Sequence, residues 1–235
     1  MNLQQLMSRV RKAADDYTMI EEGDRIAVGL SGGKDSLAML TALAAMRRFY
    51  PKKYDVSAVT VSLGFDMDFT PLAAYCERIG VDLSIAKTDI GKIVFDIRAE
   101  ETPCSLCSKM RKGALNTRAL ELGCNKTALG HNRDDVVETF FMSLIFEGRI
   151  HTFTPVTYLD RTGLSAIRPF IYVTEKEAIS CAASLNLPVI KNACPADKNT
   201  KREEIKAYIK TQTGVYKDLQ DKVFSSIKRS DLWKN

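Results

Sequence analysis

Apolar positions along the chain fall into two alternating spacings. Short continuous runs rich in Val, Ile and Ala occur over 25–30, 56–63, 81–86 and 126–130, the length and composition of strands buried on both faces. Between them lie segments with apolar residues three and four apart, beginning with Leu37, Leu40, Leu43 and Ala44 and recurring over 70–79, 103–122 and about 134–146. The boundaries carry their own signals. Thr70-Pro71 places Pro at a first helical position, Gly80 and Gly123 close the helices before them, and Thr174 with Glu177 forms a capping box for a helix through 185. A short strand over 188–190 and a charged helical tail from 201 complete the prediction. Strands alternating with helices of this length predict an α/β fold, an open parallel sheet flanked by helices. No internal repeat or Pro/Gly/Ser-rich linker interrupts it. The expected organisation is a helical N-terminal extension over 1–24, one domain over 25–200 and a basic helical tail over 201–235.

Composition removes whole classes. With 235 residues, 45% of them hydrophobic and 27% charged, the chain has ample material for a core, so disordered and collagen-like readings drop out. No run approaches the roughly 18 apolar residues of a spanning helix. Arg9 interrupts the apolar start, which therefore does not read as a secretory signal. A soluble, cytoplasmic protein without a membrane partner is expected. The net charge of +5 is unevenly placed: residues 201–235 carry nine Lys and Arg against five acids. That surplus predicts a polyanionic partner, or else a solvated helical tail.

The first predicted strand runs into Ser31-Gly32-Gly33-Lys34-Asp35-Ser36, which opens a helix. Two glycines let the backbone turn tightly and approach an anion, the helix N-terminus presents free amides, and Lys34 adds charge. This is a phosphate cradle but not a Walker loop, because Val28 stands where that pattern needs Gly and Asp35 where it needs Ser or Thr. An acid beside phosphate calls for a cation between them, so nucleotide with Mg²⁺ near Asp35 is predicted. The run Gly130-His131-Asn132-Arg133-Asp134-Asp135 follows the fourth strand and reaches the same carboxyl edge of the sheet, where ligands bind in open α/β folds. Its acids, Arg and His could hold Mg²⁺ and phosphate, and the same acids suit a helix N-terminus in their own right. The other histidine, His151, falls in an expected loop and receives no role.

Six cysteines in a chain of this kind are not a disulfide framework. Cys76, Cys124 and Cys181 stand singly among apolar residues and read as inert core thiols. Cys104 and Cys107 have the spacing that lets two sulfurs reach one metal from a helix start, and Lys109, Arg111 and Lys112 together with the helix dipole are expected to favour thiolates. The pair also fits a redox couple, a persulfide carrier or half of a zinc site. Cys194 lies apart, in an irregular stretch and directly before Pro195.

Taken together, the loop 31–36, the Cys104-Ser105-Leu106-Cys107 pair, the 130–135 run and the 19–25 segment resemble the PP-loop ATPase superfamily, and within it the tRNA 2-thiocytidine synthetase family, over about residues 10–205. The resemblance implies the adenine-nucleotide alpha-hydrolase-like PP-loop fold, and an enzyme that cleaves ATP between its α and β phosphates. It implies ATP contacts from Ser31, Gly32, Gly33, Lys34, Asp35, Ser36, Gly130, His131, Arg133, Asp134 and Asp135, with Asp35 near Mg²⁺. It further implies a 4Fe-4S cluster on Cys104, Cys107 and Cys194, with one iron open to present sulfide to an adenylated cytidine. The implied partners are tRNA, a sulfur donor such as sulfide or a cysteine desulfurase persulfide, and a second copy in a homodimer. Lys109, Arg111, Lys112 and Arg118, with Lys191, Lys198, Lys201 and Arg202, would then face the RNA backbone. Two other readings share the ATP site, a sulfurtransferase for a small molecule and a ligase using a nitrogen nucleophile.

Overall fold

The computed structural model describes residues 1–98, 103–190, 194 and 200–233. After helix α1 (Leu3–Asp16), strand β1 (Asp24–Gly29) leads into α2 (Lys34–Met46), and β2 (Tyr54–Ser62), α3 (Thr70–Arg78) and β3 (Asp82–Lys87) follow. A π-helical turn (Lys92–Ile97) precedes α4 (Pro103–Glu121), β4 (Lys126–Ala128) and α5 (Arg133–Glu147). The chain continues with β5 (Val156–Leu159), β6 (Leu164–Ile167), α6 (Glu175–Ser184), α7 (Lys201–Val215) and α8 (Leu219–Arg229).

The strands form one sheet in the order β3-β2-β1-β4-β6-β5. Neighbours are parallel except β5, which pairs antiparallel with β6 at the edge. The sheet is therefore mixed, not wholly parallel, and the β5–β6 hairpin is the element that the apolar pattern did not predict. Each of its strands has four residues, too few for a period to stand out, and Gly163 at φ +68° makes its turn.

Side chains alternate across β1. Ile26 and Val28 face the core shared by α1, α2, α5 and α6, while Ala27 faces Val59, Leu115 and Ala119 beneath α4. The terminal helices belong to the larger core: Leu6 and Val10 from α1, Ile205 and Ile209 from α7, and Phe224 and Ile227 from α8 are all buried in it. Cys76 and Cys181 lie in that core and Cys124 in the smaller one, as expected of inert thiols; burial pushes Cys76 up to about 11.

Order reverses between β1 and β4. Chain leaving β1 turns to one side of the sheet and chain leaving β4 to the other, so a crevice opens between their carboxyl ends. Residues 188–190 form no strand there. Pro188 has no N–H to give to a ladder, and Ile190 instead donates its amide to the Gly32 carbonyl at 3.0 Å.

Candidate active site

The loop after β1 needs both its glycines' neighbourhood. Gly32 sits at φ +81°, and a Cβ there would meet Ile190 Cγ1 at 2.2 Å, so the position is closed to any side chain. Gly33 is the N-cap of α2 and makes no side-chain cap bond. Serine hydroxyls hold the turn instead: Ser36 Oγ donates to the Gly33 carbonyl at 3.0 Å and accepts from the Ser31 amide at 3.2 Å. The first amides of α2 have no acceptor within the helix, which leaves them aimed at the crevice with the positive end of the dipole.

Lys34 crosses from this loop to α6. Its Nζ donates to Asp35 Oδ2 and to Glu175 Oε1, both at 3.0 Å. Burial would lower its pKa, but the two carboxylates outweigh burial and hold it above the ordinary lysine value. Glu175, a residue that its place in a capping segment had hidden, is held below its ordinary value against the same burial by Lys34 and then Lys206.

Gly130 lets β4's loop close on α2. A Cβ at this position would lie 3.2 Å from the Ser36 amide nitrogen and 3.3 Å from Ser36 Cα. Next to it, Asn132 caps α5 reciprocally with Asp135 and also donates from Nδ2 to Asp35 Oδ1 at 3.2 Å. Asn132 is thus the direct link between the two predicted motifs, and it stands inside the run that pointed to the site.

The charged members of that run are distributed differently from expectation. Asp134 turns to α6, where its carboxylate accepts from the Glu175 amide at 2.7 Å; burial, chiefly, raises its pKa. Asp135, raised first by burial, binds Arg202 at 3.0 Å and feels the charge of Asp35. Arg133 points away from the loop, pairing with Asp221 of α8 and lying 4.8 Å over the Phe224 ring. His131 lines the crevice, but burial and then Arg168 and Lys112 bring its pKa down to about 3, so the imidazole is neutral.

Arg202, expected to face the RNA backbone, and Lys206, one of the cations of the basic tail, behave otherwise. They face inward. Arg202 Nη1 lies 3.0 Å from both Asp135 and Glu138, and Lys206 reaches Glu138 and Glu175. Glu138 is only 4% exposed, and a carboxylate so far from water needs cationic partners. Lys201 lies over the Phe146 ring at 5.0 Å, and Arg118 is tied to Ser84 and Glu121. Lys191 and Lys198 lie outside the described residues.

A cavity of about 200 Å³ joins the phosphate loop to the cysteine helix. Gly29, Leu30 and Ser31 form one wall, Val59, Val61, Leu129 and His131 another, and Ser108, Arg111 and Lys112 of α4 close it. Ser108 directly follows Cys107. Of the three predicted cluster thiols, Cys104 is exposed, Cys107 buried and Cys194 intermediate. Cys107 departs from the thiolate expectation: burial pushes it up, Arg111 offsets this only in part, and the Cys194 and Cys104 thiols add to the rise. Those last two effects place the Cys104 and Cys194 sulfurs within electrostatic reach of Cys107, although among the described residues no three His, Cys, Asp or Glu side chains stand together as a metal site. Among the same residues no helix is long and apolar enough to cross a membrane.

Comparison with known proteins agrees with this geometry. The PP-loop domain family matches residues 2–213. A tRNA-cytidine(32) 2-sulfurtransferase of Ralstonia pickettii (strain 12J) is 36% identical over 228 residues, covering 95% of this chain and 72% of the relative. One from Aliivibrio fischeri (strain MJ11) is 38% identical over 219 residues, covering 89% and 71%. Among solved structures, the U34-tRNA thiolase NcsA from Methanococcus maripaludis with its [4Fe-4S] cluster shares the fold at a TM-score of 0.78 and 24% identity, over 96% of this chain and 77% of that one.

Proposed function

The chain belongs to the PP-loop family and, within it, to the tRNA-cytidine(32) 2-sulfurtransferases, and on that premise we propose that it thiolates C2 of cytidine 32 in tRNA using ATP. The observation that carries the reading is the single cavity shared by the phosphate loop and the segment just past Cys107. An activating site and a sulfur site must open on one space if the same carbon is to visit both. A ligase with a nitrogen nucleophile has no use for the thiols.

The β and γ phosphates of ATP lie on the α2 amides, with Lys34 released from Glu175 to meet them. Asp35, its carboxylate oriented by Asn132 and Lys34, is the residue that would hold Mg²⁺. The C2 oxygen of the cytidine attacks the α phosphorus, the bond from that phosphorus to the bridging oxygen breaks, and pyrophosphate leaves with the electron pair. A sulfide sulfur then attacks C2, and AMP departs carrying the former carbonyl oxygen. The neutral His131 and the apolar ends of β1 and β2 line this space, which favours attack by sulfur over hydrolysis by water.

What supports an iron–sulfur cluster is that the Cys104 and Cys194 sulfurs both act on Cys107, with Arg111 offsetting part of the effect of its burial. Cys104, Cys107 and Cys194 would hold a 4Fe-4S cluster, which supplies bound sulfur for the transfer. The sulfur source is sulfide, or a cysteine desulfurase persulfide from which an external dithiol, itself oxidised to a disulfide, releases sulfide. Exposed Arg111 lines the cavity and exposed Lys109 lies on the same helix, both available to meet the RNA backbone, and a tRNA substrate puts the work in the cytoplasm.

The test is thiolation by the anaerobically reconstituted chain with a tRNA transcript, ATP and sulfide, read by nucleoside mass spectrometry. 2-Thiocytidine should form with one AMP and one pyrophosphate per turnover, and Lys34→Gln and Cys107→Ser should each abolish it. AMP release with no sulfur in the RNA, but sulfur or nitrogen in a small acceptor, would overturn the reading.

A further inference from the structure

The cavity has a second cationic wall that the phosphate loop does not explain. Lys112 of α4 and His131 both line it. Behind them Arg168, the first residue after β6, is 7% exposed. Its Nη1 donates to the Thr154 carbonyl at 2.6 Å and to Thr157 Oγ1 at 3.0 Å, while its Nε has no partner. The guanidinium lies 5.1 Å over the Phe153 ring, and the His131 ring stacks on that same Phe153 with centroids 4.9 Å apart. His131 Nδ1 is likewise unpartnered.

What sets this group apart is the missing counter-charge. The other buried cation of the sheet, Lys126, has Asp24, and the half-buried Lys34 and Arg202 have Asp35 with Glu175 and Asp135 with Glu138. Among the described residues, Lys112 and Arg168 have none. Burial and then Arg168 depress Lys112, and burial alone brings Arg168 down to about 10, with no carboxylate acting on either. Lys112 is exposed on the cavity wall, whereas Arg168 holds its charge out of water with no acid to compensate it among the described residues. An anion entering the cavity would supply that compensation.

The geometry points to a phosphate-binding subsite on the α4 side of the cavity, with Lys112 as the contacting residue, Arg168 as a positioning residue behind it and His131 as its neutral wall, occupied by the phosphate of the adenylyl group. It rests on the adenylation chemistry proposed above and adds a division of labour to it. The apolar ends Val59 and Val61, with Leu30 and Leu129, offer a surface for a base, and the loop amides with Lys34 are committed to the departing pyrophosphate. The phosphate left on the adenosine lies on the opposite side, towards Lys112. Two separate cationic sites would draw the two products of the cleavage apart as the bond breaks. An RNA phosphodiester carries the same chemistry and is the other source to be distinguished.

The experiment is equilibrium binding to the full chain of three probes, AMP, inorganic pyrophosphate and an anticodon stem-loop RNA, with thermal unfolding confirming that each variant folds. Lys112→Gln should weaken AMP about tenfold, which is about 1.4 kcal/mol, and leave pyrophosphate within about twofold. Arg168→Gln should do the same, and Arg168→Lys should restore most of the loss, which a purely structural role would not. In the wild type, AMP should move the imidazole proton shifts of His131 while His151 stays put, and Lys112→Gln should remove that response. Should Arg168→Gln fail to fold, Lys112→Gln carries the test alone, because that side chain is exposed and has no acid partner among the described residues. Loss of stem-loop binding with AMP unchanged would overturn the adenylyl assignment in favour of RNA. Unchanged binding of all three probes would overturn the subsite itself. These measurements need no turnover: Lys112-dependent AMP binding by a chain that fails to thiolate tRNA would uphold the subsite and sink the proposed function, and thiolation with AMP binding insensitive to Lys112 would do the reverse.

Discussion

Asn132 Nδ2 donates to Asp35 Oδ1 at 3.2 Å, joining two motifs that lie 97 residues apart in the chain. The same side chain caps α5 by accepting from the Asp135 amide at 3.0 Å. One residue therefore sets both a helix start and the orientation of the acid beside the phosphate loop.

The two roles separate by substitution. Asn132→Asp keeps a good cap, so its stability should stay close to wild type, but it places a carboxylate against Asp35. ATP-dependent AMP formation should fall by about tenfold or more, the worth of a hydrogen bond to a charged group. Asn132→Ala should lose both, with about 1 kcal/mol of stability from the cap. Denaturant unfolding and AMP release measure the two separately, and equal activity in Asn132→Asp and wild type would remove Asn132 from the site.

Gly130→Ala pushes a Cβ against backbone that cannot swing aside, the Ser36 amide and Cα at 3.2 and 3.3 Å. The start of α2 must shift, at about 1–3 kcal/mol of stability. Because that helix start is the phosphate cradle, ATP affinity should fall together with Tm. A variant with wild-type Tm and wild-type nucleotide affinity would show that α2 moves freely there.

Glu138 is raised to about 7, first by burial, with Asp135 adding to the rise and Lys206 and Arg202 opposing it. Its ordinary value is 4.5, so between the two values the folded protein keeps a proton that the unfolded chain has lost. Stability therefore falls as pH rises through that window, with none of the penalty present below it and all of it above. Glu138→Gln should flatten this dependence: the difference in unfolding free energy between about pH 5 and about pH 7.5 should shift towards greater relative stability at the higher pH. An identical difference in both proteins would mean that Glu138 is ionised throughout.

Cys107→Ser and Cys194→Ala should each lower the iron and sulfide bound after anaerobic reconstitution, whereas Cys124→Ala, buried under α4, should leave both unchanged. Full iron content in Cys194→Ala would take that residue out of the ligand set.

The parts legible in the sequence were local. The turn at Ser31–Ser36 and the Thr174–Glu177 box depend on residues within a few positions of one another and form as their spacing predicts, and the helix start expected at the acids of the 130–135 run is there, capped by Asn132. The β5–β6 hairpin escaped because four-residue strands carry too little pattern, and the 188–190 segment was misread because its apolar run serves to cover Gly32 and not to extend the sheet.

By itself the sequence determined most of the strand, loop and helix grammar, the tight turn at Gly32-Gly33, and that Cys76, Cys124 and Cys181 are core thiols, since each follows from neighbours in the chain. Only the tertiary structure decided the pairing of charges. It turned Arg133 outward to Asp221, drew Arg202 and Lys206 in to Glu138, and left Lys112 lining an open cavity with the buried Arg168 behind it and, among the described residues, no acid on either. Whether a lysine or arginine is a solvated surface charge or a buried counter-ion depends on how much water its surroundings exclude, and that is settled by segments tens of residues away.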